Sequence, residues 1–367
     1  VGGQALGSVN GSRDLFVTIL AADGRCERTF ITGGAGADEA RAVAIGANDD
    51  LFVTGVYQGP ADFDPAGGDV LLQPYVAADP SDVFVARYGT DGTLRWAAPL
   101  AGRGTDQSWA LRLDDVQQVV VAGTFTDTLD VDPTASQRRL VSAGGPDTWV
   151  ASLTTAGLLR WGEQLGGPQA DQLAPHALTL NAAREVFVAG LFSGTMTLGT
   201  LVGLPPVVSF GAVDGFVVRL SSAGVAAGGF AIGGPGDDAV LGLQADPSGA
   251  LLLVGGFQGT VDFSRGTSAR TIAAISPAGS TGADLYTARY DPIGLLQWAE
   301  RLRPAAVPSA RPTASLVSGA GTFWIGGRFA GTMNADPGTG FATLAGQGDT
   351  DVFAARYDAA SGAVVRR

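Results

Sequence analysis

Apolar residues in this chain gather in short runs, some strictly alternating with polar ones and some continuous, separated by Gly, Asp, Asn and Pro. Val119-Val-Val-Ala-Gly123 and Leu252-Leu-Val-Gly-Gly256 are continuous runs, and small-residue segments such as Ala40–Ile45 precede them. No segment carries an apolar stripe at helical spacing. β-Branched residues dominate the runs, so the pattern predicts short strands joined by turns throughout.

The runs recur as a repeat. Its anchor is an aspartate opening an apolar strand: Asp14-Leu-Phe-Val, Asp82-Val-Phe-Val, Asp147-Thr-Trp-Val, Asp214-Gly-Phe-Val, Asp284-Leu-Tyr-Thr and Asp351-Val-Phe-Ala. The anchors are spaced 68, 65, 67, 70 and 67 residues apart, a period that marks a repeat architecture. The repeats run over 14–81, 82–146, 147–213, 214–283 and 284–350, with a partial copy at 351–367. After each anchor strand comes a tight turn such as Asp91-Gly92 or Ala156-Gly157. A second strand follows, carrying Trp96, Trp161 or Trp298. A glycine loop then ends in aspartate, and a small-residue strand, a polar turn and an apolar strand complete the unit. Long loops at about 58–81, 126–146, 193–213, 258–283 and 330–350 return to the next anchor.

Four strands per repeat in an all-β chain is the blade of a β-propeller. Packing blades face to face buries sheet surfaces that a lone four-stranded sheet would expose. With the small-residue strand innermost, complete blades are expected at 36–101, 102–166, 167–233, 234–303 and 304–367. Residues 14–31 then supply only the outer half of another blade. The expectation is a single propeller domain over 1–367, with a ring of six or seven blades if closed. The missing inner pair is expected in sequence outside residues 1–367.

The pattern Asp-x-Phe-Val-Ala-Arg-Tyr, Asp-Gly-x-Leu-x-Trp, Gly-Gly-x-Gly-x-Asp and Val-x-Val-Ala-Gly-x-Phe resembles the bacterial SBBP-like (seven-bladed-propeller-type) repeats over nearly the whole chain. The resemblance implies a propeller fold and an exported or cell-surface bacterial setting. It does not assign an activity, because propellers host many unrelated ones. The fifth unit departs from the pattern: Arg303–Pro312 replaces its glycine loop, and Arg301, Arg303 and Arg311 make it the one basic irregularity.

Composition narrows the partners. Hydrophobic residues make up 46% of the chain, enough to build a core. The net charge of −12 repels a phosphate backbone, so nucleic acid is not an expected partner. The lone cysteine, Cys26, is expected as a small buried residue, and the lone histidine, His176, in a structural role. No apolar run reaches the length of a transmembrane helix. The chain starts at Val1 and reads as a processed or trimmed piece of a longer one.

Two sets of carboxylates are candidate ligand groups. Asp38, Asp106, Asp171 and Asp237 end the glycine loops and either line a ligand-binding face or hold the amides of their own loops. In the long loops, Asp62-Phe-Asp64-Pro65, Asp130-Val-Asp132-Pro133 and Asn334-Ala-Asp336-Pro337 share an acidic element, with Asp262-Phe-Ser264 a weaker copy. Two oxygen donors two residues apart suit either a calcium ion or an Asx turn, although two per loop fall short of the six to eight oxygens calcium takes. No Gly-x-Ser-x-Gly elbow, metal-binding histidine set or placed carboxylate pair for glycoside chemistry occurs. The leading expectation is therefore a non-enzymatic extracellular or cell-surface module presenting its long-loop face to a protein or glycan. An assembly subunit pairing through its incomplete blade, and a propeller enzyme of lyase, glycosidase or quinoprotein type, are the alternatives.

Overall fold

The computed structural model describes residues 7–68, 70–76, 80–199, 203–264, 270–274, 283–304, 311–318, 321–329, 331–336, 342–347 and 351–365. Among them the protein is all-β: many small antiparallel sheets, with a single 3₁₀ turn at Val9–Gly11 and no α-helix. None of its helices is long and apolar enough to cross a membrane. The chain divides into two compact units, Val1–Gln164 and Leu165–Arg367.

The first unit opens with a hairpin, Leu15–Leu20 against Cys26–Gly34. A four-stranded sheet follows, hydrogen-bonded in chain order: Glu39–Ile45, Leu51–Tyr57, Asp82–Tyr88 and Leu94–Arg103. Asp106–Leu113, Val119–Phe125, Asp147–Leu153 and Leu159–Gly166 repeat that order, the last two residues falling in the second unit. The second unit repeats it again with Asp171–Leu180, Val186–Phe192, Asp214–Leu220 and Ala226–Ile232, then with Ala239–Ala245, Leu251–Phe257, Asp284–Tyr290 and Leu296–Pro304. It ends in a three-stranded sheet, Arg311–Ser318, Thr322–Phe329 and Asp351–Asp358.

The continuous apolar runs occupy the second place in each sheet. Every residue of Leu51–Tyr57, Val119–Phe125 and Leu251–Phe257 is buried. Such strands are covered on both faces, which removes the alternation that a half-exposed strand shows. In the first unit, Leu15 and Phe30 of the hairpin pack with Val53, Phe84 and Tyr88 of the first sheet. Phe52, Val83 and Val85 on the other face of that sheet pack with Val121 and Trp149 of the next. The second unit does the same, Phe187 and Val217 joining Leu253 and Tyr286, and Leu252 and Leu285 joining Phe323 and Phe353. Gly123 sits opposite a bulge in the neighbouring strand, where a Cβ would collide with the Gln107 carbonyl. The bulge is the reason a glycine interrupts this apolar strand.

Two local findings differ from the sequence expectation, one in the long loops and one at Cys26. The long loops carry structure of their own: two-stranded ribbons such as Ala61–Asp62 with Leu71–Leu72 and Thr128–Asp130 with Arg139–Val141. These extend the outermost strand of a sheet, Gly33 pairing with Asp62 and Ala101 with Asp130. Cys26 is exposed rather than buried, because it opens its strand on the solvent side, near the Thr29 hydroxyl. The strand Leu15–Leu20 lies at a sheet edge, and Phe16 on it is 65% exposed while its counterpart Phe84 is fully buried.

Candidate functional site

The repeat's sequence signature resolves into three anchoring interactions. Its arginine reaches the polar turn: Arg87 bridges to Asp50 at 2.6 Å and Arg289 to Asp246 at 2.6 Å. Its tyrosine holds a ribbon by donating to a main-chain oxygen, Tyr88 to Phe63 at 3.0 Å, Tyr290 to Phe263 at 2.8 Å and Tyr357 to Ala335 at 2.8 Å. Its aspartate gathers the loop end of the sheet. Asp82 accepts the Tyr75 amide at 2.8 Å and the Gly102 amide at 3.3 Å. Asp147 accepts the Ala143 amide at 2.7 Å, and Asp351 the Gln347 amide at 2.9 Å.

The glycine-loop aspartates complete this clasp. Asp38 accepts the Gly34 amide at 2.7 Å and the Gln58 amide at 3.2 Å, so one carboxylate ties the glycine loop to the start of the long loop. Asp171 accepts the Gly167 amide at 2.6 Å. Asp106 is fully buried, and its main-chain N–H donates to the Ser81 carbonyl at 3.1 Å. In the fourth copy the structure moves the role by one residue. Asp238, not Asp237, accepts the Gly234 amide at 2.7 Å and the Gln258 amide at 2.9 Å, and its own N–H donates to Val213 at 2.8 Å. Asp237 is exposed and occupies the register place of Thr105, one residue outside the clasp. The signal was present in the sequence: the loop aspartate follows its anchor by 24 residues in all four copies, 14 to 38, 82 to 106, 147 to 171 and 214 to 238.

Two of these clasps bring carboxyl groups face to face. Burial pushes the Asp38 carboxyl up to about 6, against the pull of its two amide donors, and the charge of Asp14 adds to the rise. Burial likewise pushes Asp238 up to about 7, with Asp214 adjoining it by hydrogen bond, and burial raises Asp214 as well. A like charge nearby disfavours the ionised form of a buried carboxyl and adds to the effect of burial. Asp38 and Asp238 are only 1% and 2% exposed. Their hydrogen bonds are directed to main-chain amides.

The acidic elements of the ribbons form Asx turns. The Asp62 side chain accepts the amides of Asp64 and Val70, at 2.9 and 3.2 Å. Asp130 accepts those of Asp132 and Arg138, at 3.1 and 2.9 Å. Asn334 accepts those of Asp336 and Ala342, at 3.0 and 2.8 Å. Asp64 and Asp132 each cap a further turn, at Ala66 and Thr134. Asp262 repeats the first step with Ser264. Among the described residues no group of three or more His, Cys, Asp or Glu side chains converges in a metal-binding arrangement. In the irregular fifth unit, Arg301 stands beside the buried Asp284, while the side chains of Arg303 and Arg311 lie outside the described residues.

The ribbons present apolar side chains outward: Leu71, Tyr75, Val141, Val208 and Phe210 are all exposed. The Tyr75 hydroxyl and an Arg139 guanidinium nitrogen approach to 3.5 Å.

No protein-family model matches the chain, and no curated protein matches it. Among solved structures, the extracellular domain of a putative hybrid two component system from B. thetaiotaomicron aligns at a TM-score of 0.25 and 12% identity, over 92% of this chain and 48% of that one. The extracellular domain of a putative one component system from the same organism aligns at a TM-score of 0.17 and 10% identity, over 90% and 60%. The chain thus spans about half the length of the first of these structures.

Proposed function

We propose that the repeated sheets are blades of a β-propeller of the SBBP-like repeat type, and that the chain is a non-enzymatic binding or structural module outside the bacterial cell or on its surface. Its long-loop ribbons present the contact face to a protein or glycan partner. The observation that carries this reading is the division of labour at the loop end. In each unit taken by itself the carboxylates there are turned inward onto amides, while Leu71, Tyr75 and Val141 of the first unit and Val208 and Phe210 of the second are exposed. Exposed aromatic and apolar side chains on a rigid support are the usual stuff of contact surfaces. Face-to-face packing of consecutive sheets supports the propeller reading, and the repeat signature supports the extracellular setting.

The test is a glycan array and a panel of purified cell-envelope proteins probed with the wild-type chain and with Tyr75→Ala/Arg139→Ala. Selective retention lost in the double variant, with an unchanged melting temperature, supports the reading. Turnover of a small substrate abolished by one loop-end substitution would overturn it.

A second reading has its own observation. Among the described residues the edge of Leu15–Leu20 has no partner strand, and Phe16 and Leu20 are exposed, where the five other anchor strands each pair with an apolar strand ending opposite the aspartate in Tyr57, Phe125, Phe192, Phe257 or Phe329. Such an edge recruits a strand from another chain. Sedimentation of the wild type as a monomer at micromolar concentration would argue against it.

A further inference from the structure

Within the anchor hairpin, the signature arginine is paired in register with a tryptophan: Arg87 with Trp96 and Arg289 with Trp298. In the copy beginning at Asp214 the partner of Arg219 is Gly228. That exchange leaves a shaped space, because each tryptophan has a defined seat. The Trp96 ring lies against Gly157 of the following tight turn, and its indole N–H donates to the Thr155 carbonyl at 2.9 Å. Arg87 donates to the same oxygen at 2.8 Å. Trp298 is seated in the same way on Gly362 and donates to Ala359 at 3.2 Å.

At Gly228 no ring stands between the strand and the next turn. A cleft of about 50 Å³ is walled by Phe187, Val217 and Leu251, with Pro292 and the exposed Ile293 of the next turn on its far side. Pro292 stands two residues before its turn glycine, as Thr155 does. Its carbonyl takes Arg219 at 3.4 Å, where the Thr155 carbonyl takes both an arginine and an indole. A carbonyl oxygen has two lone pairs, so the second acceptor direction is in place for a ligand.

We propose that this cleft binds an indole group, either the side chain of a tryptophan presented by a partner polypeptide or a free indole-type molecule. An enclosed apolar hollow of about 150 Å³ takes up benzene; this cleft, at about 50 Å³ and open to solvent, would hold one edge of the bicycle and leave the rest at its mouth. Here the repeat supplies the template for the ligand: the copies beginning at Asp82 and Asp284 carry an indole in the corresponding place, with its ring on the next turn and its N–H on a carbonyl of that turn. The guanidinium of Arg219 adds a cation beside the ring, an arrangement that favours the electron-rich indole over a saturated group. The cleft lies at the tight-turn end of its sheet, away from the glycine loops and ribbons, so it stands or falls independently of the loop-end reading.

The experiment titrates the ¹⁵N-labelled chain with indole, with indene (the same bicycle without the N–H donor) and with N-acetyltryptophanamide. Saturable shifts centred on the amides of Gly228, Gly229 and Ile293 are expected. Indene should bind about fivefold more weakly, the loss of one net hydrogen bond. N-acetyltryptophanamide binding as tightly as indole assigns the site to a tryptophan side chain, and binding tenfold or more weakly assigns it to a free small molecule. Ile293→Trp, made at an exposed position beside the cleft, should lower indole affinity about fivefold or more by occupying the mouth. It is preferred to a substitution at Gly228, whose φ of +141° strains any side chain. No saturable shift, equal affinity for indene, or unchanged affinity in the Ile293 variant would each overturn the proposal.

Discussion

A guanidinium nitrogen of Arg301 stands 3.6 Å from the carboxylate of Asp284, which is fully shielded from solvent. This is the copy whose glycine loop has been replaced, and it has no aspartate 24 residues after the anchor. Arg301 takes the same strand position, 17 residues after the anchor, from which Gln164 donates to Asp147 at 2.7 Å. The repeat thus keeps a donor at this place when the usual loop is lost. Arg301→Ala is expected to cost about 1–3 kcal/mol in urea unfolding, the penalty for stripping a partner from a buried charged group. Arg301→Gln should recover much of that loss by adopting the Gln164 arrangement. Equal destabilisation by the two variants would show that the contact with Asp284 is not what Arg301 contributes.

The clasp carboxyls set a pH dependence with a definite sign. Asp38 and Asp238 are raised from 3.8 in the unfolded chain to about 6 and about 7 in the fold. A raised carboxyl stabilises the fold in its protonated form. The contribution is complete below about pH 4 and is lost as pH climbs through 6 and then 7. Unfolding free energy measured by urea across this range should fall on the alkaline side. Asp238→Asn should remove the upper part of the fall and leave the part due to Asp38. A stability that rises between pH 5 and 8 would contradict the assignment.

The ribbon turns make a prediction about calcium. Asn334 performs with a neutral amide the same double acceptance that Asp62 and Asp130 perform with a carboxylate. Charge is therefore dispensable at this place. Asp130→Asn is expected to change stability by less than about 0.5 kcal/mol, whereas Asp130→Ala should cost about 1–2 kcal/mol through two abandoned amides. The melting temperature should be the same in calcium and in a strong chelator. A calcium-dependent rise that vanishes in Asp130→Asn would instead mark the ribbons as cation sites.

The seat of Trp96 links two sheets of the first unit through a single turn. Gly157 has a φ of +80° and lies under the indole ring. Gly157→Ala suffers both from the left-handed backbone and from the ring above it, and should cost about 1–2 kcal/mol or more. Trp96→Phe keeps one aromatic ring but loses the bond to Thr155 and part of the indole's packing, a cost of about 1–3 kcal/mol. Thermal unfolding of the two variants gives the ranking.

Much of this was readable from the chain. The six anchors and the continuous apolar runs mark the order of strands within each sheet, because a strand covered on both faces needs no polar alternation. The ribbons were hidden. Two or three residues of strand on either side of an Asx turn are too short to show a period, and they depend on pairing with the end of a sheet elsewhere in the chain. Asp237 and Asp238 look alike in the chain until the count from the anchor separates them. The residue type of Cys26 favours burial, while its place at the start of an exposed strand does not. The seat at Gly228 was invisible until the pairing of Arg219 showed which residue stands where tryptophan stands in the other copies.

The constant separation of anchor and loop aspartates also explains where this architecture tolerates change. Anchor spacing varies from 65 to 70 residues, yet the stretch between the two aspartates is the same length in four copies. The slack therefore falls between the loop aspartate and the next anchor, mostly where the ribbons are, with two residues of it in the irregular strand Asp171–Leu180. Foreign peptide inserted at a ribbon tip would be held at a rigid base by neighbouring amides, so the chain is a ready frame for displaying grafted sequences. An insertion of the same length between the paired aspartates would instead pull them out of register.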